Sequence, residues 1–192
     1  ALLFTLFLGA CDDTNRQSEV QPLTQNPAAD ELPDSSSFAS HLGLTAYTNM
    51  SMASQRAQEL DAKIAALLHT PTNTSLDAAR KAWRAAYDAY LYTLYFAKLP
   101  LTDPVEWTKQ NIDYKQTLIT LDSWPVEGGY IDYVPGYPFS GIVNDLTLTL
   151  SEESLLAQHG FSDPTSASLG YHALEFMLWG SDGKRSARDF AA

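Results

Sequence analysis

The chain has 192 residues, 45% of them hydrophobic, a formal net charge of −11 and one cysteine. So acidic a chain disfavours nucleic-acid binding, because phosphate contacts need clustered Lys and Arg. One cysteine cannot close an internal disulfide. No phosphate loop, dinucleotide fingerprint or Gly-x-Ser-x-Gly elbow occurs, which sets nucleotide-dependent enzymes and hydrolases of the elbow type aside.

Residues 1–10 are almost wholly apolar and end at Cys11. A membrane-spanning helix needs about 20 such residues, so the stretch reads as the tail of a secretion signal. Leu8-Gly9-Ala10-Cys11 resembles a bacterial lipobox. That resemblance implies a lipidated Cys11, a membrane partner reached through the lipid, and a periplasm-facing place in the bacterial cell envelope. Residues 11–37 turn to Asp, Glu, Gln, Asn, Pro and Ser, the composition of a disordered tether. The tether holds Asp12, Asp13, Glu19, Asp30, Glu31 and Asp34 against Arg16, a net of −5. The folded part is therefore only mildly acidic.

Residues 38–192 suffice for one domain with a core. Ala53, Ala57, Leu60, Ile64 and Leu67 recur at helical spacing and predict an amphipathic helix ending near His69-Thr70-Pro71. Thr74 is the expected cap of a second helix, with Leu76, Ala79, Trp83, Tyr87, Tyr90 and Leu94 as its apolar stripe and Asp77–Lys81 as an exposed pair. The aromatic run through Tyr92, Tyr95 and Phe96 reads as further core. Asp103-Pro104, Ser151-Glu152-Glu153 and Asp163-Pro164 read as three more helix starts, and Gly180 as a helix stop. The segment 124–138, rich in Gly, Pro and aromatics, reads as a structured connection. The expected fold is all-α, a four-helix-bundle-like domain interrupted by one long loop.

Gly170-Tyr171-His172-Ala173-Leu174-Glu175-Phe176-Met177-Leu178-Trp179-Gly180 carries the chemistry. His172 and Glu175 lie three apart, on one helix face and within reach of each other. Among Leu, Phe, Met and Trp their desolvation calls for a hydrogen bond, a counter-charge or a metal. Three readings stay open: a packing pair, two ligands of a metal site built across helices, or a hydrolase whose metal activates water with Glu175 as base. The last lacks the His-Glu-x-x-His arrangement. Asp122, Glu127, Asp132, Asp145 and His159 are the candidates for further ligands.

Several segments together resemble the imelysin family of bacterial envelope proteins. The terminal run matches its Gly-x-His-x-x-Glu motif. Trp124-Pro125 through Gly129-Tyr130-Ile131-Asp132-Tyr133, then Ser140-Gly141-Ile142-Val143-Asn144-Asp145, is similar to its central loop, and Ala79-Arg80-Lys81-Ala82-Trp83 with Tyr90 and Thr93 to its second helix. The resemblance implies an all-helical fold of two related four-helix bundles, of which this chain holds one and stops at Ala192, about half the family's extent. An uncovered apolar face of that kind favours self-association. It also implies a link to iron acquisition or sensing, a divalent metal such as iron or zinc, and His172 and Glu175 as its ligands. The family is catalogued as metallopeptidases, so cleavage of exported polypeptides with Glu175 catalytic is the alternative, and a non-metal adaptor the third. Two positions depart from the pattern: Tyr87 stands where arginine is expected, and Leu94 where glutamate is.

Overall fold

The computed structural model describes residues 35–97 and 114–191. Cys11, the tether up to residue 34 and the helix start expected at Asp103-Pro104 lie outside the described residues. Within them the chain is all-α and bundle-like. Two long helices come first, α1 (Ser35–His69) and α2 (Asn73–Ala97). Four short ones follow: α3 (Tyr114–Leu121), α4 (Gly128–Ile131), α5 (Glu152–Gln158) and α6 (Tyr171–Trp179). Single 3₁₀ turns occupy Ile142–Asn144 and Ala187–Phe190. Helix α1 thus begins at Ser35, within the last residues assigned to the tether. The compact unit that carries the site spans Ser40–Ala192.

Helices α1 and α2 form a hairpin around Thr70–Thr72. The Ser75 N–H donates to Thr72 Oγ1 at 3.1 Å, while the Thr72 N–H donates to Ser75 Oγ at 3.0 Å. This reciprocal exchange satisfies two donors that a helix start otherwise leaves orphaned. The cap is therefore Thr72 rather than Thr74. Asp77 likewise pairs with Arg80, at 3.6 Å, instead of Lys81.

The apolar stripe of α2 is seated as its spacing predicts, with Leu76, Ala79, Trp83, Ala86 and Tyr90 buried against Leu60 and Leu67 of α1. Tyr171 and Leu178 of α6 complete this core. Tyr92 and Tyr95 were expected in it and are instead 62% and 78% exposed. At about 100° per residue they fall on the face of α2 opposite Tyr90.

The segment 124–138 is structured, as its composition predicts. It holds the single turn α4 and an isolated antiparallel bridge between Val134 and Tyr137. Asp132, a buried member of this segment, accepts from the Arg185 guanidinium at 2.5 Å, the Asn144 amide at 3.0 Å and the Tyr133 N–H at 2.7 Å. Ser151 caps α5 as expected, with the Ser154 N–H donating to its Oγ at 3.1 Å. Asp163-Pro164 starts no helix. Asp163 Oδ1 takes the N–H and hydroxyl of Thr165 at 2.9 and 2.8 Å, a local turn that competes with helix initiation.

Candidate functional site

Helix α6 is clamped along its length by α2, and the pairing is antiparallel. At its start, the Trp83 indole N–H donates to the Tyr171 carbonyl at 2.8 Å. At its end, the Arg80 guanidinium donates to the Leu178 carbonyl at 2.9 and 3.1 Å and to the Arg185 carbonyl at 2.9 Å. The Leu178 carbonyl lies in the last turn of α6, where no helical partner is left, so the cation satisfies both its hydrogen bonding and the dipole. Gly180, at φ 73°, closes the helix with its N–H on Phe176 O at 2.7 Å, as its position predicts.

Gly170 explains the first letter of the motif. Its φ is 99°, and a Cβ there would stand 2.3 Å from Thr120 O and 2.8 Å from Leu121 O. Only glycine allows this backbone and this approach. The N-terminus of α6 therefore presses on the last turn of α3, and Asp122, the next residue, is delivered to His172.

Four side chains meet there. His172 Nδ1 lies 2.9 Å from Glu175 Oε2, and its Nε2 lies 3.2 Å from Asp122 Oδ1 and 3.2 Å from the Tyr87 hydroxyl. Tyr87 donates to Asp122 Oδ1 at 3.1 Å. The His172 and Asp122 side chains are 13% and 24% exposed, whereas Glu175 is 42% exposed. The imidazole is thus held away from water, while Glu175 is less so than its apolar run suggests. Burial and the Asp122 carboxylate push the Tyr87 phenol up to about 12, so it remains a proton donor. The Tyr87 ring stacks on Trp83 at 5.1 Å, and Trp124, 72% exposed, lies 4.8 Å from the imidazole. No Lys or Arg pairs with Asp122 or Glu175 among the described residues. His172 is the one member of the cluster that can carry positive charge.

Of the further candidates, the structure brings Asp122 to His172. Asp132 is committed to Arg185, and Glu127 is exposed at the start of α4. Asp145 closes a local turn with Thr147. His159 belongs to a separate network: Nδ1 accepts the Leu169 N–H at 3.3 Å, Nε2 lies 3.1 Å from Ser123 Oγ, and Ser123 in turn donates to Ile119 O at 2.6 Å. Burial lowers the His159 pKa, in keeping with a neutral ring whose Nδ1 is an acceptor. Tyr87 is the residue that periodicity hid, because a tyrosine on an apolar stripe reads as core. The available signal was its hydroxyl, which needs a partner when buried.

An imidazole nitrogen with carboxylates is donor chemistry that a metal ion takes. Among the described residues, however, no group of three or more His, Cys, Asp or Glu is placed to hold one. The reason is geometric: Asp122 and Glu175 approach opposite ring nitrogens, which diverge. The residues fit a metal only in a site that draws on one face of His172 and on a donor of another type. Beside them opens a cleft of about 390 Å³, lined by Trp124, Val126, Val134, Glu175, Phe176 and Trp179.

Comparison with known proteins bears on the same residues. No curated protein matches the chain. The family model Imelysin, designated peptidase M75, matches residues 43–192 and so takes in most of α1, all of α2, the central loop and the His172–Glu175 helix. The chain belongs to the imelysin family.

Proposed function

We propose that this protein is a lipid-anchored protein of the bacterial cell envelope that binds a metal ion, iron foremost, at His172 in metal acquisition or sensing. The observation that carries the reading is the anionic cluster itself. Two carboxylates flank a largely buried imidazole at 2.9 and 3.2 Å, with no Lys or Arg paired to either among the described residues. A bound cation would add positive charge between two carboxylates that otherwise have only the imidazole beside them. His172, Asp122 and Glu175 are the residues that would hold or orient it. The anchor rests on the lipobox-like Leu8-Gly9-Ala10-Cys11. Self-association is part of the reading and rests on Leu44, Tyr47, Tyr92 and Tyr95, each more than 60% exposed.

Equilibrium dialysis against iron, zinc and copper tests the metal. Uptake by the wild type and its loss in the His172→Ala, Glu175→Ala double variant is the expected result. Equal uptake by both proteins removes these residues from the site. For the anchor, Cys11→Ser is expected to move the protein from the membrane fraction to the soluble one.

A peptidase reading draws on the family designation and on the cleft beside His172, whose aromatic walls suit a substrate side chain. It requires chelator-sensitive cleavage of a polypeptide that disappears in Glu175→Gln. Cleavage that persists in that variant assigns the activity elsewhere.

A further inference from the structure

We infer that His159 is a positioning residue: while its ring is neutral it pins the last turn of α3 to the stretch entering α6, and on taking up a proton it lets go, so that Asp122 is held against His172 only above mildly acidic pH. The inference goes beyond the metal reading, because it concerns how the cluster is assembled and involves no bound ion.

Three elements meet at this ring. His159 closes α5, with its own N–H on Leu155 O at 3.1 Å. Its Nδ1 faces the Leu169 N–H at 3.3 Å and its Nε2 faces Ser123 Oγ at 3.1 Å. Leu169 directly precedes Gly170, whose backbone lies against Thr120 and Leu121, and Ser123 directly follows Asp122. The imidazole therefore bridges both sides of the seam that delivers Asp122 to His172. Asp122 itself is part of that last turn, since its N–H donates to Leu118 O at 3.1 Å. Ser168 Oγ, donating to Leu155 O at 2.6 Å, fastens the residue before Leu169 to α5 as well.

Proton counting fixes the tautomer. The one hydroxyl hydrogen of Ser123 goes to Ile119 O at 2.6 Å, so Ser123 Oγ is an acceptor toward the ring and Nε2 carries the hydrogen. Nδ1 then holds the lone pair that takes the Leu169 N–H. A second proton can go only to Nδ1. There it would set two N–H groups face to face and leave the Leu169 N–H without its acceptor. Protonation of His159 and the Leu169 contact exclude each other.

Among the described residues, the ionisable groups of the surrounding elements are turned elsewhere. Asp122 after α3 faces His172 and Tyr87. Glu152 and Glu153 are exposed in the first turn of α5. Asp163 is taken by Thr165, Tyr130 of α4 by Gln158, and His172 and Glu175 of α6 by each other. Burial is what lowers the His159 pKa. A ring that binds its proton less readily in the closed state holds the pin shut above the ordinary value of about 6.5 and loses it as pH falls.

The test reads backbone hydrogen exchange by NMR on the full, metal-free chain between pH 8.0 and 5.0. With the intrinsic exchange rate at each pH divided out, the protection of the Leu169 N–H and of the Asp122 N–H is expected to be level above about pH 6.5 and to fall together below it, by up to about tenfold per pH unit. His159→Asn keeps an acceptor near the Leu169 N–H but does not titrate, and is expected to flatten both profiles. Ser123→Ala cuts the link to α3, so Leu169 should still respond while Asp122 no longer follows. His172 is intact in both variants, so any response from its own titration remains and is told apart. The wild-type ring nitrogen shifts at pH 8.0 give a check that needs no variant: the hydrogen is expected at Nε2. A hydrogen found at Nδ1, or Leu169 protection that stays level across the range, overturns the pin. Leu169 protection that falls in the wild type while that of Asp122 does not overturns the positioning role. Either result leaves the metal reading where it stood, because no ion enters the measurement.

Discussion

Gly170 and Thr120 are in backbone contact so close that a single added methyl group would stand 2.3 Å from the Thr120 carbonyl oxygen. That contact sets the register between α6 and α3, and with it the distance from His172 to Asp122. Gly170→Ala is therefore expected to destabilise the fold by at least about 2 kcal/mol, from the positive φ together with the clash. Urea unfolding measures it. On the proposed metal reading the variant should also take up the ion more weakly, because Asp122 and His172 would be pushed apart. A change under 0.5 kcal/mol would mean that α3 does not sit against Gly170.

Trp83 joins α2 to α6 through one indole N–H and its packing. In Trp83→Phe the Tyr171 carbonyl keeps its place in the helical ladder but loses the indole donor, and a void opens beside Tyr87 and Trp179. One lost hydrogen bond costs about 0.5–1.5 kcal/mol, and the lost volume adds to that. The melting temperature of this variant should drop by several degrees.

Asp132 and Arg185 are 5% and 6% exposed and bonded to each other. Removing one partner strands the other charge away from water. Arg185→Met or Asp132→Leu alone is expected to cost about 3–5 kcal/mol, and the double variant clearly less than their sum. A double-mutant cycle in urea checks this. Strict additivity would mean that the pair does not couple.

His159 gives a pH dependence with a defined sign. Burial lowers its pKa in the fold, so the unfolded chain binds a proton more readily than the native one. Stability from this source is intact above the ordinary value of about 6.5 and declines as pH falls below it. Unfolding curves at pH 7.5 and pH 5.0 should show the decline, and His159→Gln, which keeps a hydrogen-bonding group near Ser123, should reduce it. An unchanged pH dependence in that variant would assign the effect to other groups.

The sequence by itself determined the two long helices, the starts or ends of two short ones, and what shares a helix face. Spacing placed Leu76, Ala79, Trp83 and Tyr90 in the core, Ser151 at the head of α5 and Gly180 at the end of α6. It also put His172 beside Glu175, since residues three apart on one helix must be neighbours. These are local relations, and a period of 3.6 residues carries them. The tertiary structure alone decided which distant groups meet. Asp122 reaches His172 because Gly170 lets two helix ends touch, while Asp132, an equal candidate by composition, is taken by Arg185 from 53 residues further along. Tyr87 sits on a stripe that spacing marks as core, and only the position of α3 turns its hydroxyl into a partner of Asp122. Asp163-Pro164 carries a helix-start signal, yet the Asp163 side chain bonds back to Thr165 and the chain turns. Periodicity registers neighbours along one helix. The partners of a buried polar group are set by how separate helices pack.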